Sequence, residues 1–118
     1  MLNFINKLPY KYFDIKTKIE YIERRIIIYS IMYYELNQSV ISDKDYDKLS
    51  KYLCHLINQN SDVFKSTEYY YCLYDFEPST GFYIYDRLNK KDKNKLRHLA
   101  EYILYRSGIW ERWEYDMD

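Results

Sequence analysis

The spacing of apolar side chains between Ile15 and Leu36 constrains the fold more than any other feature of the chain. Apolar residues recur there at alternating intervals of four and three positions: Ile15, Ile19, Ile22, Ile26, Tyr29, Tyr33 and Leu36. This spacing forms one apolar stripe along an α-helix. Asp14 is a favourable N-cap in front of the stripe, so the sequence predicts a helix from Asp14 to about Leu36.

The same segment also predicts which sides of this helix are buried. Further isoleucines widen the apolar stripe, so we expect packing on more than one side, with the C-terminal helix as the covering element: Ile27, Ile28 and Ile31. Four charged residues are expected to keep the opposite face in solvent: Glu20, Glu23, Arg24 and Arg25.

Two more helices carry start signals of their own. Ser42, with Asp45 three positions later, predicts the N-terminus of a second helix that continues to about Asn58. The short connection from Asn37 to Ile41 favours an antiparallel hairpin of the first two helices, over residues 14–58. Asn89 caps a last helix, its apolar stripe runs through Leu96, Leu99, Ala100, Ile103 and Leu104, and Gly108 is a plausible stop.

The middle of the chain, residues 59–88, is less regular. Asn58 to Thr67 is polar and typical of a loop, and the aromatic stretch from Glu68 to Phe76 has β-propensity. Gly81 to Leu88 fits either a returning strand or a short helix begun at Ser79, and we favour the helix. The predicted fold class is therefore mainly α, a single domain over residues 1–118. It comprises the helical hairpin, a Tyr-rich connecting region, and a C-terminal helix and tail (89–118). Whether the connecting region includes a short β-hairpin is left open by the sequence. Trp110 and Trp113 in the tail are expected to fold back onto the core.

Composition excludes several classes of protein. Lys plus Arg equal Asp plus Glu at 18 each, so no net field attracts nucleic acid or an anionic membrane. Cys54 and Cys72 are too few for a disulfide framework or a metal site, which favours a reducing, cytoplasmic setting. No signal peptide or apolar run of membrane-spanning length is visible. We expect a monomer, with a dimer as the alternative.

The segment YYELNQSVISDKDYDKL, from Tyr33 to Leu49, resembles part of a known enzyme family. Two tyrosines end the first helix, and three polar residues share one face at the start of the second. This arrangement resembles the N-terminal helical (Ia) domain of NAD-dependent DNA ligases, over about residues 15–58. The resemblance implies that five residues bind the nicotinamide mononucleotide half of NAD: Tyr33, Tyr34, Asp43, Tyr46 and Asp47. Spacing alone favours a structural explanation: Ser42 and Asp45 as caps, Tyr33 and Tyr46 as core residues, and Asp47 as a solvated partner of Lys51.

The other parts of such a ligase are missing from the sequence. No K-x-D-G nucleophile motif, four-cysteine zinc module or helix–hairpin–helix repeat is present. We therefore expect no catalysis and no tightly bound cofactor. Binding of nicotinamide mononucleotide or NAD by the tyrosines alone is expected to be in the millimolar range, about −4 kcal/mol.

Tyrosine is the compositional outlier, with 17 residues, many of them between Glu68 and Asp86. Tyrosine is enriched at protein interfaces, so this region is a candidate partner-binding surface, ordinary core packing being the alternative. Its residues are Tyr69, Tyr71, Tyr74, Asp75, Glu77, Tyr83 and Tyr85. The sequence thus favours a small non-catalytic binding protein of phage or mobile-element type that contacts, and inhibits, a host nucleic-acid-processing or defence enzyme. The alternative is a nicotinamide-nucleotide-binding protein or an accessory subunit of a split NAD-dependent ligase.

Overall fold

The computed structural model describes residues 14–79 and 81–109. These residues are mainly helical and contain no β-strand. In chain order the elements are α1 (Ile15–Ser30), a π-helical turn (Ile31–Glu35), α2 (Asp43–Gln59), α3 (Ser61–Phe64), α4 (Tyr70–Leu73), a 3-10 turn (Gly81–Tyr83), α5 (Ile84–Arg87) and α6 (Lys90–Arg106). Trp110 and Trp113 lie outside the described residues.

The caps predicted from the sequence are present at all three long helices. Asp14 accepts a hydrogen bond from the Thr17 amide at 2.8 Å, and Ser42 accepts one from the Asp45 amide at 3.1 Å. Asn89 likewise accepts a hydrogen bond at 2.8 Å from the amide three residues later. At the other end of α6, Gly108 has a φ of 84°, the left-handed conformation that ends helices. The predicted positions of α1, α2 and α6 are confirmed.

Helix α1 is the central element of the core. It packs against α2, α3, α5, α6 and the 3-10 turn. Most of the predicted stripe is buried together with the residues that widen it: Ile19, Ile22, Ile26, Ile27, Ile28, Tyr29 and Ile31. Ile15 and Leu36 are partly buried, and Tyr33, also predicted to belong to the stripe, is exposed. Leu96, Ala100 and Leu104 of α6 are buried in the same core. The broad apolar face of α1 is thus covered within the chain, as predicted.

The Tyr-rich region differs from the expectation of a β-prone segment and a short hairpin. Residues 70–73 form one turn of helix, and Gly81 to Arg87 is also helical, as favoured for the second piece. In a one-turn helix Tyr69, Cys72 and Leu73 share one face, and all three side chains are buried. Tertiary burial of that face outweighs the β-propensity of tyrosine, which is weak and context-dependent. The hairpin and the predicted capping of α5 by Ser79 were wrong, since the N-cap residue of α5 is Tyr83, which forms no side-chain cap hydrogen bond.

The predicted loop after α2 is also partly helical. Ser61–Phe64 form the one-turn helix α3, and Phe64 is buried in the core. Thr67, a few residues further, is buried as well. The segment from Asn58 to Thr67 therefore contributes buried residues to the core. The prediction of a loop rested on its polar composition alone.

Glu23 also differs from the sequence prediction. It was expected to face solvent, but its side chain is fully buried in α1. Thr67 Oγ1 lies 2.8 Å from Glu23 Oε2, while Oε1 has no hydrogen-bond partner in the described part of the chain. Burial is the main cause that raises the pKa of Glu23 to about 8, and the nearby carboxylates of Glu20 and Glu68 add to it. This acid is therefore largely uncharged at neutral pH.

Across 14–79 and 81–109, no helix combines the length and apolar character needed to cross a membrane.

Candidate functional site

The π-helical turn at the end of α1 positions two adjacent tyrosines. The Leu36 amide donates to the Ile31 carbonyl, five residues back, at 3.2 Å, and shares this bond with the Met32 carbonyl at 3.3 Å. Such turns are rare and recur at functional sites. Tyr33 and Tyr34 lie within the turn, and their rings are both exposed, with centroids 4.8 Å apart and planes nearly perpendicular.

All five residues that the ligase resemblance singled out line one pocket of about 240 Å³, which we call the tyrosine pocket. The full lining is Tyr29, Tyr33, Tyr34, Ser39, Ile41, Asp43, Tyr46, Asp47 and Pro78. Tyrosine rings and two carboxylates therefore meet in one concave site, a combination suited to a cationic group. The volume is below the roughly 300–1,000 Å³ of pockets that enclose a drug-sized ligand. The pocket can therefore enclose one ring or one side-chain head group.

Tyr46 fixes the floor of the tyrosine pocket. Its hydroxyl lies 2.7 Å from the Ser30 hydroxyl, which joins the start of α2 to the end of α1. Burial raises the pKa of Tyr46, so its hydroxyl is neutral over the whole physiological range. At the rim, Asp47 forms an exposed ion pair with Lys51 at 2.9 Å. Such a surface pair contributes about 0–1 kcal/mol, so Asp47 is readily available to another cation.

Gly81 packs against Tyr46 and Tyr34, two of the residues that line the tyrosine pocket. A Cβ atom at this position would lie 2.6 Å from the Tyr46 hydroxyl and 3.3 Å from both Ser30 Oγ and a Tyr34 ring carbon. The 3-10 turn can therefore reach the Tyr46–Ser30 hydrogen bond only because residue 81 has no side chain. Sequence reasoning missed Gly81 and Pro78, because nothing local to either shows that it packs against α1 and α2.

Exposed aromatic rings continue from the pocket along one surface, which we call the aromatic row. Its rings belong to Tyr33, Tyr34, Phe82, Tyr83 and Tyr74, with exposed fractions of 51, 44, 50, 43 and 53%. Ring centroids are 6.4 Å apart for Tyr34 and Phe82, and 4.1 Å apart for Phe82 and Tyr83. The row thus connects the tyrosine pocket with the Tyr-rich region, two sites that the sequence analysis treated separately.

Arg87 joins the last two rings of the aromatic row. Its guanidinium carbon lies 5.1 Å from the Tyr83 ring centroid and 4.9 Å from that of Tyr74. The same guanidinium contacts both carboxylate oxygens of Asp75, at 2.5 and 3.2 Å. These bonds lower the pKa of Asp75 and raise that of Arg87, so the pair remains ionised.

Not every predicted partner-binding residue is accessible. Tyr69 is fully buried, so its assignment to a contact surface was wrong. Tyr71 is partly exposed, but its hydroxyl donates to Asp92 at 2.6 Å and accepts from the Asn89 amide, which ties it to the start of α6. Tyr85 is half-buried beneath Lys93 and Arg97.

The remaining predicted positions are on the surface. Tyr74, Asp75 and Tyr83 form one end of the aromatic row. Glu77 is exposed and borders a separate hollow that also includes Cys54 and Pro78. The accessible part of the predicted surface is therefore centred on Tyr74 and Tyr83.

No protein-family model, curated protein or solved structure matches this chain.

Proposed function

We propose that this is a non-catalytic protein-binding module that contacts its partner through the aromatic row. The observation that carries the proposal is a set of five large rings, each at least 43% exposed. Four of them are in successive contact, and Arg87 joins the fifth, Tyr74, to Tyr83. Isolated exposed apolar residues are ordinary, whereas a contiguous patch marks an interaction site. Tyrosine and arginine, the residues that meet at Tyr74, Tyr83 and Arg87, are also the types that carry most interface energy.

The chemistry of the two cysteines argues against a cysteine nucleophile. Burial raises the pKa of the Cys54 thiol, and raises that of Cys72 to about 12. Because the thiolate is the nucleophile, both side chains are poorly reactive at neutral pH. We extend the proposal to the partner class expected from the sequence, a host nucleic-acid-processing or defence enzyme that the module inhibits by occupying one of its surfaces.

The aromatic row gives a direct test by substitution. Replacing Phe82 and Tyr83 together by serine should weaken partner binding by about 2 kcal/mol, because two anchoring rings are removed from the centre of the row. The partner is first captured from bacterial lysate with the wild-type protein, and affinities are then measured by titration calorimetry.

A matched control lies outside the aromatic row. Tyr102 is 38% exposed on α6, and Tyr102→Ser should leave the affinity unchanged. Circular dichroism and melting temperature establish that each variant is folded. Full partner affinity in a folded Phe82→Ser, Tyr83→Ser protein would contradict the proposed surface.

The tyrosine pocket favours a second function, binding of a nicotinamide nucleotide. The supporting observation is that all five residues implied by the ligase resemblance line one pocket. A cationic nicotinamide ring that lies against one of these tyrosine faces gains stacking and cation–π energy on the order of 1–2 kcal/mol. The reduced, uncharged ring would lose the cation–π part of that energy.

This second function predicts a weak but localised interaction. Nicotinamide mononucleotide at millimolar concentration should perturb the NMR signals of Tyr33, Tyr34, Asp43, Tyr46 and Asp47, and Tyr46→Ala should abolish the effect. Tyr52→Ala, on the same helix and outside the pocket lining, is the control. If no signal is perturbed, or if the perturbed residues lie elsewhere, the ligase-like motif would be a shared helical scaffold without ligand binding.

A further inference from the structure

We propose that the tyrosine pocket receives the guanidinium group of an arginine presented by the partner protein. This inference rests on the proposed protein-binding function and names the chemistry that the partner must offer. The same surface already holds one guanidinium, that of Arg87.

The Arg87 contact shows how this surface binds a guanidinium. The group lies against two tyrosine rings, at 4.9 and 5.1 Å, and both of its terminal nitrogens face the carboxylate of Asp75. Ring faces attract the cation, and the planar fork matches a carboxylate in a two-point contact. Tyrosine faces and a carboxylate are therefore the components of a guanidinium site in this protein.

The tyrosine pocket contains the same components. In the described part of the chain, however, no cation lies in this pocket as Arg87 lies against its two rings. Tyr33 and Tyr34 offer exposed rings at its mouth, and Asp43 and Asp47 offer carboxylates at the start of α2. Asp43 forms no ion pair within residues 14–79 and 81–109, and the Lys51 ammonium on Asp47 is mostly exposed and easily displaced. The pocket therefore has two carboxylates paired, among the described residues, only with the exposed Lys51, and a delocalised cation would balance their charge.

The size and position of the pocket favour an arginine side chain over a larger ligand. A pocket of about 240 Å³ accommodates a side-chain head group, while the rest of the protein that carries this side chain remains outside. The ring of Tyr34 is shared between the pocket and the aromatic row, since it contacts Phe82 at 6.4 Å. A partner lying on the row would thus have its chain next to the pocket mouth. Arginine suits this site better than lysine, because its flat, weakly hydrated group stacks on rings while pairing with a carboxylate.

The test uses small probes, so it does not depend on knowing the partner. N-acetyl-arginine N-methylamide is titrated into the ¹⁵N-labelled protein, beside the citrulline compound of the same shape, the lysine compound and nicotinamide mononucleotide. We expect the arginine probe to shift the amide signals of residues 33–47 with an affinity at least tenfold above that of the neutral citrulline probe. The lysine probe should bind more weakly than the arginine probe.

Two charge-removing variants locate the site. Asp43→Asn together with Asp47→Asn should lower arginine affinity at least tenfold, because both carboxylates are neutralised while the pocket keeps its shape. Asp62→Asn, an exposed carboxylate on α3 outside the pocket, should leave the affinity unchanged.

Each of the other outcomes overturns the inference. Equal shifts from the arginine and citrulline probes would mean that charge is not recognised, and no shift would mean that the pocket holds no guanidinium. Shifts from nicotinamide mononucleotide without shifts from the arginine probe would make it a nucleotide site. These failures leave the protein-binding function standing, because that function is tested separately by Phe82→Ser with Tyr83→Ser on the captured partner.

Discussion

Raising the pH from about 4.5 to about 8 should destabilise the folded protein by on the order of 5 kcal/mol through Glu23 alone. In the folded state burial raises the pKa of this acid from 4.5 to about 8. Between these values the folded protein retains a proton that the unfolded chain has released. The stabilisation is therefore complete below about pH 4.5 and is lost as the pH rises through about 8.

The hydrogen-bond geometry around Glu23 is also compatible with a neutral acid. Thr67 Oγ1 lies 2.8 Å from Glu23 Oε2 and 2.7 Å from the Phe64 carbonyl oxygen, yet a hydroxyl has one proton to donate. Both contacts are satisfied when Glu23 is protonated, donates to Thr67, and Thr67 donates to Phe64. A charged Glu23 would compete with the carbonyl for that single proton.

The measurement is urea unfolding across this pH range for the wild type and for Glu23→Gln. Glutamine keeps the size and a donor towards Thr67 but does not titrate, so the variant should show a much flatter dependence of unfolding free energy on pH. Glu35→Gln, an exposed residue at the end of the same helical segment, should retain the wild-type slope. An equal slope in Glu23→Gln and the wild type would show that Glu23 is not the group responsible.

Gly81→Ala is expected to destabilise the protein by up to about 3 kcal/mol and to deform the tyrosine pocket. The added methyl group would overlap the Tyr46 hydroxyl and press against Ser30 and Tyr34. Tyr46 cannot move aside without breaking its hydrogen bond to Ser30, so the 3-10 turn itself must withdraw. Withdrawal would also shift Phe82, which links the pocket to the aromatic row.

A double-mutant cycle with Tyr46→Phe isolates this contact. Removing the hydroxyl makes room for the new methyl group, so Gly81→Ala should be less destabilising in the Tyr46→Phe background than in the wild type. Gly108→Ala is the control: no atom of residues 14–79 and 81–109 lies within 4 Å of its Cβ position, and its φ of 84° is the source of the expected effect. Additive effects of Gly81→Ala and Tyr46→Phe would rule out the proposed close packing.

Features encoded within a few neighbouring residues were predictable from the sequence. The caps at Asp14, Ser42 and Asn89 and the apolar stripes of the long helices depend on local spacing, and the structure confirms them. The five residues of the ligase-like motif also come together in one pocket, because they flank a single short connection.

Features that depend on distant parts of the chain were not predictable. Glu23 is covered by Thr67, 44 residues later in the chain. The local sequence does not show this contact, and a charged residue by itself predicts solvent exposure. Tyrosine is a residue type that is common at interfaces. The one-turn helix that follows Tyr69 nevertheless directs this side chain into the core. Pro78 completes a pocket whose other residues lie on α1, α2 and their connection, and Gly81 packs against two of those residues, Tyr34 and Tyr46. No periodicity in the sequence encodes either contact.

The π-helical turn makes the pocket depend on the number of residues before it. Leu36 bonds to Ile31 across five positions instead of four, so one residue of the segment is in excess of an α-helical turn. Deleting a residue there would allow regular bonding to continue, while turning everything that follows by about 100° around the axis. The shortened helix would be better bonded and would carry the tyrosines away from Asp43 and Tyr46. Side chains in this segment can therefore be exchanged more freely than its length can be changed.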